Sequence, residues 1–133
     1  MIFIDTGAFL ARYVERDQHH DAATKQWQTL RNDRRRCFTS NFVLDETITL
    51  LARRSTYQFA AERARNLLES TSLAILRPNR NDEFVALKLF EKYADQSVSY
   101  TDCVSFALME RENIKRAFSF DRHFRIAGFE VEP

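Results

Sequence analysis

The chain has 133 residues, with 20 Lys and Arg against 19 Asp and Glu, giving a formal net charge of +1. At 44% hydrophobic and 29% charged, with only two Gly and two Pro, it falls outside the disordered, collagen-like and linker-rich classes. Its length is that of one domain, residues 1–133, and its near-neutral balance supplies no global electrostatic argument for a nucleic-acid partner.

Scarce turn residues favour an alternating α/β architecture over a sandwich or barrel. Cys37 and Cys103 have no companion at disulfide or zinc spacing, so both are read as small packed hydrophobes in a reducing compartment. Met1-Ile2-Phe3-Ile4-Asp5 has neither the basic start nor the cleavage site of a leader. No stretch approaches the ~18 apolar residues of a membrane span, so a cytoplasmic location with no membrane contact is expected.

In chain order, Met1 to Ile4 reads as a short strand ending at Asp5, with Thr6 as cap of a helix to about Val14. A helix over 19–32 carries Ala22, Ala23, Trp27 and Leu30, while His19 and His20 fall in a polar run and are expected at the surface. Cys37 to Thr39 is a second strand, and Ser40 or Asn41 caps a helix to about Arg53. A helix from Tyr57 to Glu69 has a stripe of Phe59, Ala60, Ala64, Leu67 and Leu68. Leu73 to Leu76 is a strand closed by Pro78, and Asn81 is taken as cap of a helix to Tyr93 carrying Phe84, Val85, Leu87, Leu89 and Phe90, where phenylalanines in such helical stripes are read as core. Ser99 opens a helix from Tyr100 to Glu112, Lys115 to Ser119 is a strand, and Phe129 to Val131 is an edge strand. That order implies a parallel sheet with helices on both faces and a ligand site beyond the carboxyl ends of its strands.

Four acidic residues from separate segments map to that edge. Asp5 follows the first strand, and Asp121 follows the Lys115–Ser119 strand. Glu46 sits in the second turn of its helix, with Phe42 and Val43 one turn before and Leu50 one turn after, a poor setting for an unpaired charge. Asp102 lies in a helical first turn, where it also favours the macrodipole. Like charges gathered there repel unless a cation neutralises them, and a set of hard oxygen ligands implies Mg²⁺ or Mn²⁺. The chemistry that fits is in-line attack of water on a phosphodiester, with no side-chain nucleophile.

The segments Ile2-Phe3-Ile4-Asp5-Thr6-Gly7-Ala8-Phe9-Leu10, Thr39 to Thr47, Ser99 to Ala107 and Ala117 to Phe124 resemble, in order and spacing, the four acidic motifs of PIN-domain nucleases, and among these the small VapC toxins. The resemblance implies a three-layer α/β/α PIN fold with a short central parallel sheet of four to five strands. It also implies Mg²⁺- or Mn²⁺-dependent endoribonuclease activity, homodimerisation and a small cognate antitoxin. By it, Asp5, Glu46, Asp102 and Asp121 correspond to the metal-binding and catalytic quartet, and Ser119 to a hydroxyl position that is often Thr.

Gly7 stands where the family often has Ser, leaving Thr6 as the remaining helix-start hydroxyl. Asp45 beside Glu46 is an alternative ligand, since neighbouring helical side chains point about 100° apart and only one can face the ion. Arg122 and Arg125, with His123, are candidates to hold RNA phosphate. Two rival readings stand beside the nuclease: a non-catalytic RNA- or partner-binding module on the same fold, and a phosphotransferase using Asp5 as nucleophile. The latter commonly wants a second Asp two positions on, where Gly7 stands.

Overall fold

The computed structural model describes residues 1–133, in which strands and helices alternate. In chain order they are β1 (Ile2–Ile4), α1 (Thr6–Tyr13), α2 (His20–Asn32), β2 (Cys37–Ser40), α3 (Asn41–Arg54), α4 (Tyr57–Glu69) and β3 (Leu73–Leu76). Then come α5 (Arg80–Lys92), a short 3-10 turn (Ala94–Gln96), α6 (Tyr100–Arg111), β4 (Arg116–Phe118), α7 (His123–Ile126) and β5 (Glu130–Glu132). The strands form one sheet in the order β3-β2-β1-β4-β5, every pair parallel. The chain builds outward from β1 on one side and then returns to its other side, so the switch point lies between β1 and β4.

Register fixes the layers. Ile4 is opposite Phe118 and Phe3 opposite Ala117, so Phe118 and Phe3 face opposite sides of the sheet. Phe118 meets Trp27 of α2 at 5.2 Å between ring centroids, and Trp27 meets Phe9 of α1 at 5.6 Å. On the other side Phe3 meets Phe124 of α7 at 6.4 Å, and Phe124 stands edge-on to Phe106 of α6 at 5.1 Å. These five Phe are fully buried, each contributing roughly 1.5–3 kcal/mol of transfer free energy. β1 is apolar throughout because both its faces are covered.

Helix starts follow local chemistry. Ser40, Thr56 and Ser99 each accept a hydrogen bond from the backbone N–H three residues on, at 3.1, 3.0 and 3.1 Å. Two expected caps are corrected. Asn79 rather than Asn81 starts α5, because Asn79 and Asp82 exchange side-chain to backbone bonds in a capping box, both 2.9 Å. Asp82 is further held by Arg111 of α6. Thr6 does not cap α1: it is the first helical residue, Asp5 occupies the N-cap position, and the buried Thr6 Oγ1 has no partner.

Three other expectations change. Phe84, Leu87 and Phe90 lie on the outer side of α5, at 54%, 44% and 45% exposure, because α6 covers only the other face. His19 and His20 are half-buried: His19 stacks on Phe120 at 4.3 Å, and His20 Nδ1 lies 2.7 Å from the carbonyl of Ala11. The edge strand begins at Glu130 rather than Phe129, and α7, too short to show a periodic pattern, precedes it. The capping box yields a test: Asn79→Ala loses about 1 kcal/mol in urea unfolding, whereas Asn81→Ala stays within roughly 0.5 kcal/mol of the parent chain.

Candidate active site

At the carboxyl ends of β1 and β4 a cleft of about 360 Å³ opens at the switch point, lined by Asp5, Glu46, Asp102, Asp121 and His123 among others. Each arrives by a short local argument. Asp5 is the first residue past β1, and its backbone N–H donates to the carbonyl of Phe118 at 3.1 Å, so the ladder between β1 and β4 sets its direction. That register puts Asp5 opposite Ser119, whose hydroxyl donates to Asp5 Oδ2 at 2.8 Å. The same Ser119 oxygen accepts from the backbone N–H of Asp121 at 3.0 Å, and Asp121 Oδ1 accepts from His123 N–H at 2.9 Å. Ser119 thereby orients two carboxylates at once, within a turn built from side-chain to backbone bonds.

Asp102 enters from the first turn of α6, its backbone N–H held by the Ser99 hydroxyl. Glu46 reaches in from the second turn of α3 and is half-buried in the cleft wall, while Asp45, about 100° further round, is exposed and outside it. His123, a candidate for phosphate beside Arg122 and Arg125, faces the carboxylates. Its Nδ1 lies 3.2 Å from both Asp102 Oδ2 and Asp121 Oδ2. These three residues place a ligand atom each within 4.8 Å of one another, a spacing suited to a metal ion; Asp5 and Glu46 line the same cleft outside that tight group. In sequence the only hint of the His123 role is its position two residues after an Asp.

Arg122 and Arg125 are exposed and line an adjoining hollow with Ser119 and Asp121, beside the cleft rather than in it. Gly7 is in the cleft wall, and a Cβ there would meet nothing nearer than Phe120 at 4.0 Å, so the family's Ser would fit.

The carboxylates are held against their preference. Burial, followed by the negative charge of Asp102, pushes the Asp5 carboxyl up to about 7, against the opposing hydrogen bond from Ser119. Burial raises Asp102 to about 6, with Asp121 and Glu46 adding to the rise and the His123 hydrogen bond working against it. A site that resists its own ionisation, built of hard oxygens and bordered by the orphaned Thr6 hydroxyl, fits a divalent cation of the Mg²⁺ or Mn²⁺ type. With carboxylate oxygens predominating over a single histidine and no cysteine, the set suits a hard cation better than zinc.

An open parallel sheet with an acidic cleft at its switch point is the arrangement of a PIN-domain protein, and the PIN domain family model matches residues 2–130. The chain is 34% identical over 134 residues to the 23S rRNA-specific endonuclease VapC20 of Mycobacterium tuberculosis, covering 100% of this chain and 99% of that one. It is 31% identical over 125 residues to the VapC ribonuclease of Archaeoglobus fulgidus, covering 92% of this chain and 78% of the relative. The crystal structure of M. tuberculosis VapC20, described as a sarcin-ricin loop cleaving toxin, superposes with a TM-score of 0.90 at 32% identity over the whole of both chains. VapBC2 of Rickettsia felis, solved bound to a promoter DNA fragment, shares the fold with a TM-score of 0.73 at 14% identity, covering 99% of this chain and 98% of that one. The chain belongs to the VapC group of the PIN-domain family.

The raised carboxyls set a pH dependence. Asp5 keeps its proton in the folded state up to about 7, whereas the unfolded chain loses it near 3.8, so the folded state binds more protons between those values. Stability without divalent cations therefore falls as pH rises from about 4 to about 7. Asp5→Asn flattens that fall in thermal unfolding followed in EDTA; an unchanged slope would contradict the assigned burial.

Proposed function

We propose that this chain is an Mg²⁺- or Mn²⁺-dependent endoribonuclease that hydrolyses RNA phosphodiester bonds and serves as the toxin of a pair with a small cognate antitoxin. The observation that carries the reading is the convergence of Asp5, Glu46, Asp102 and Asp121 in one cleft, with Asp5 and Asp102 raised well above the usual carboxylate range. Residues 1–133 act as a single catalytic domain. The relative's name makes 23S ribosomal RNA the first substrate to try.

In this reading Asp5, Glu46 and Asp102 hold the metal, and Asp121 contributes directly or through water. A cation bound there supplies an activated water and neutralises charge at the scissile phosphate. The protein's own side chains do the positioning. Ser119 fixes Asp5 and, through the backbone of Asp121, the turn that follows. His123 holds Asp102 and Asp121 together and keeps their oxygens directed into the cleft. Arg122 and Arg125, exposed at the rim, are placed to bind phosphates flanking the cut.

No helix is long and apolar enough to cross a membrane, and the proposed working location is the cytoplasm. The half-exposed Phe84, Leu87 and Phe90 stripe of α5 supports a homodimer, since such a stripe on a lone chain would otherwise remain in water.

The test is incubation of antitoxin-free protein with purified 23S ribosomal RNA and Mg²⁺ or Mn²⁺, read as discrete cleavage products. Cuts are expected with either ion, none in EDTA, and a loss of at least roughly 100-fold in Asp5→Asn and Glu46→Gln, the scale of removing one transition-state-stabilising group. Asp45→Asn retains activity. Binding of RNA with no cutting under either ion would overturn the reading in favour of a non-catalytic module.

A further inference from the structure

At the end of the sheet opposite the carboxylate cleft, where β2 and β3 begin, lies a cavity of about 640 Å³ lined by Trp27 and Phe38 together with Arg12, Arg31, Arg34 and Arg36. The Arg12 guanidinium lies over the Trp27 ring at 4.8 Å, and that of Arg36 over Phe38 at 5.4 Å. A fifth arginine there, Arg35, is neutralised by Glu132 at 3.2 Å. The other four form no ion pair, although Asp33 is exposed in the same segment. Uncompensated guanidinium groups around one concavity repel each other, and an anion relieves that repulsion.

Arg34 takes the inference furthest. Helix α2 ends with Arg35 N–H donating to the Leu30 carbonyl at 3.0 Å and Arg34 N–H to that of Arg31 at 3.1 Å. Arg34 sits in the left-handed region at φ 51°. This is a Schellman end, whose left-handed residue is usually Gly and sometimes Asn. Helix α6 ends the same way, with Ile114 N–H to Met109 at 2.8 Å and Asn113 N–H to Glu110 at 3.2 Å, and there the left-handed residue is Asn113, at φ 56°. An arginine in that role strains the backbone where glycine would not, and no salt bridge within the chain offsets the strain.

Resting on the ribonuclease reading above, we propose that this arginine-lined cavity is a second RNA site, holding backbone phosphates of the strand that runs out of the cleft. Arg12 is seven residues beyond Asp5 along α1, about 10 Å by the helical rise. Most α1 residues between them are buried, so a strand joining the two sites would pass over the surface and span more than the roughly three phosphate steps of ~3.4 Å that this axial distance equals. Planar guanidinium groups match phosphate oxygens two at a time, and Arg31, Arg34 and Arg36 line the same cavity as Arg12. A repeating polyanion suits such a cluster better than a single carboxylate does.

The experiment follows the fluorescence anisotropy of a short fluorescein-labelled single-stranded RNA in EDTA, across a salt series. The combined variant Arg31→Ala, Arg34→Gly, Arg36→Ala is expected to bind at least roughly tenfold more weakly, with a log–log salt slope smaller by about 2, at ~0.7 per lost phosphate contact. Unchanged affinity and slope overturn the inference. Arg34→Gly alone controls for folding: glycine suits the left-handed position, so this variant melts no lower than the parent while it loses RNA affinity. Cleavage of 23S ribosomal RNA with Mg²⁺, measured on the parent chain, separates the two readings. Cleavage by the parent with unaltered RNA binding in the variants defeats the second site alone. Arginine-dependent binding with no cleavage defeats the ribonuclease reading and upholds the site.

Discussion

The constraint on which the rest of this structure depends is the burial of carboxylates packed together at the end of a sheet, with their mutual repulsion added to it. Asp5 is 6% exposed and Asp102 8%, and no guanidinium or ammonium faces them; the one basic group nearby is His123. Folding alone gains nothing from such an arrangement, since a buried carboxylate without a cationic partner is destabilising. It persists because the framework around it is over-determined. β1 is buried on both faces, Ser119 is fixed by the register of β1 against β4, and α6 is buried along most of its length and capped by Ser99, three residues before Asp102. Rigid neighbours hold the groups close despite the repulsion, which a hard cation in the cleft would relieve.

The alternation of strands and helices was legible because each element carries its own signal. Apolar β1 ends at a carboxylate, the stripe of α4 repeats at helical spacing, and Ser40 and Ser99 stand before periodic runs. The acidic positions could be read too, since each follows a strand end or a helix start that the pattern had already located. What went unread has more than one cause. Asn79 and Asn81 look alike as single caps, but only Asn79 has an acid three residues on, a local capping-box spacing present in the sequence, while the Arg111 that anchors Asp82 lies 29 positions away. Glu46 was separable from Asp45 by its apolar neighbours one turn before and after, and the packing of α3 on α1 and α6 sets it in the cleft wall. His123 joins the carboxylates because α7 turns immediately after Asp121, and a four-residue helix leaves no periodicity to find.

The inward stripe expected on α5 fails for a related reason. Periodicity identifies a helix with more apolar surface than one face needs, but it does not say how many neighbours that helix has. α5 packs against α6 and the 3-10 turn, leaving Phe84, Leu87 and Phe90 in contact with water. Charge behaves in the same way. A net +1 conceals a molecule with carboxylates gathered at the carboxyl end of its sheet and arginines at the amino end. Arg35 is the one arginine of the cavity tied into the framework. Burial works against the Glu132 carboxylate, but hydrogen bonds from Arg35 and Gln26 outweigh it and hold that group below its usual range. This pins β5 to the end of α2 and leaves the neighbouring arginines free to face outward.

The separation of charge bears on how a small metal-dependent nuclease could choose among RNAs. Every RNA presents the same phosphodiester to the cleft, so carboxylates that act on that bond can contribute little to discrimination, which needs contacts differing between one RNA and another. In a folded RNA, shape decides which phosphates lie near the cut, and arginines gathered at a fixed place on the protein, as proposed for the arginine-lined cavity, would read that shape without reading a base. On the two-site proposal, the cleft would set the reaction and the opposite edge the substrate. A chain that keeps its acidic motifs while rearranging the arginines between α2 and β2 would retain the chemistry and change its target.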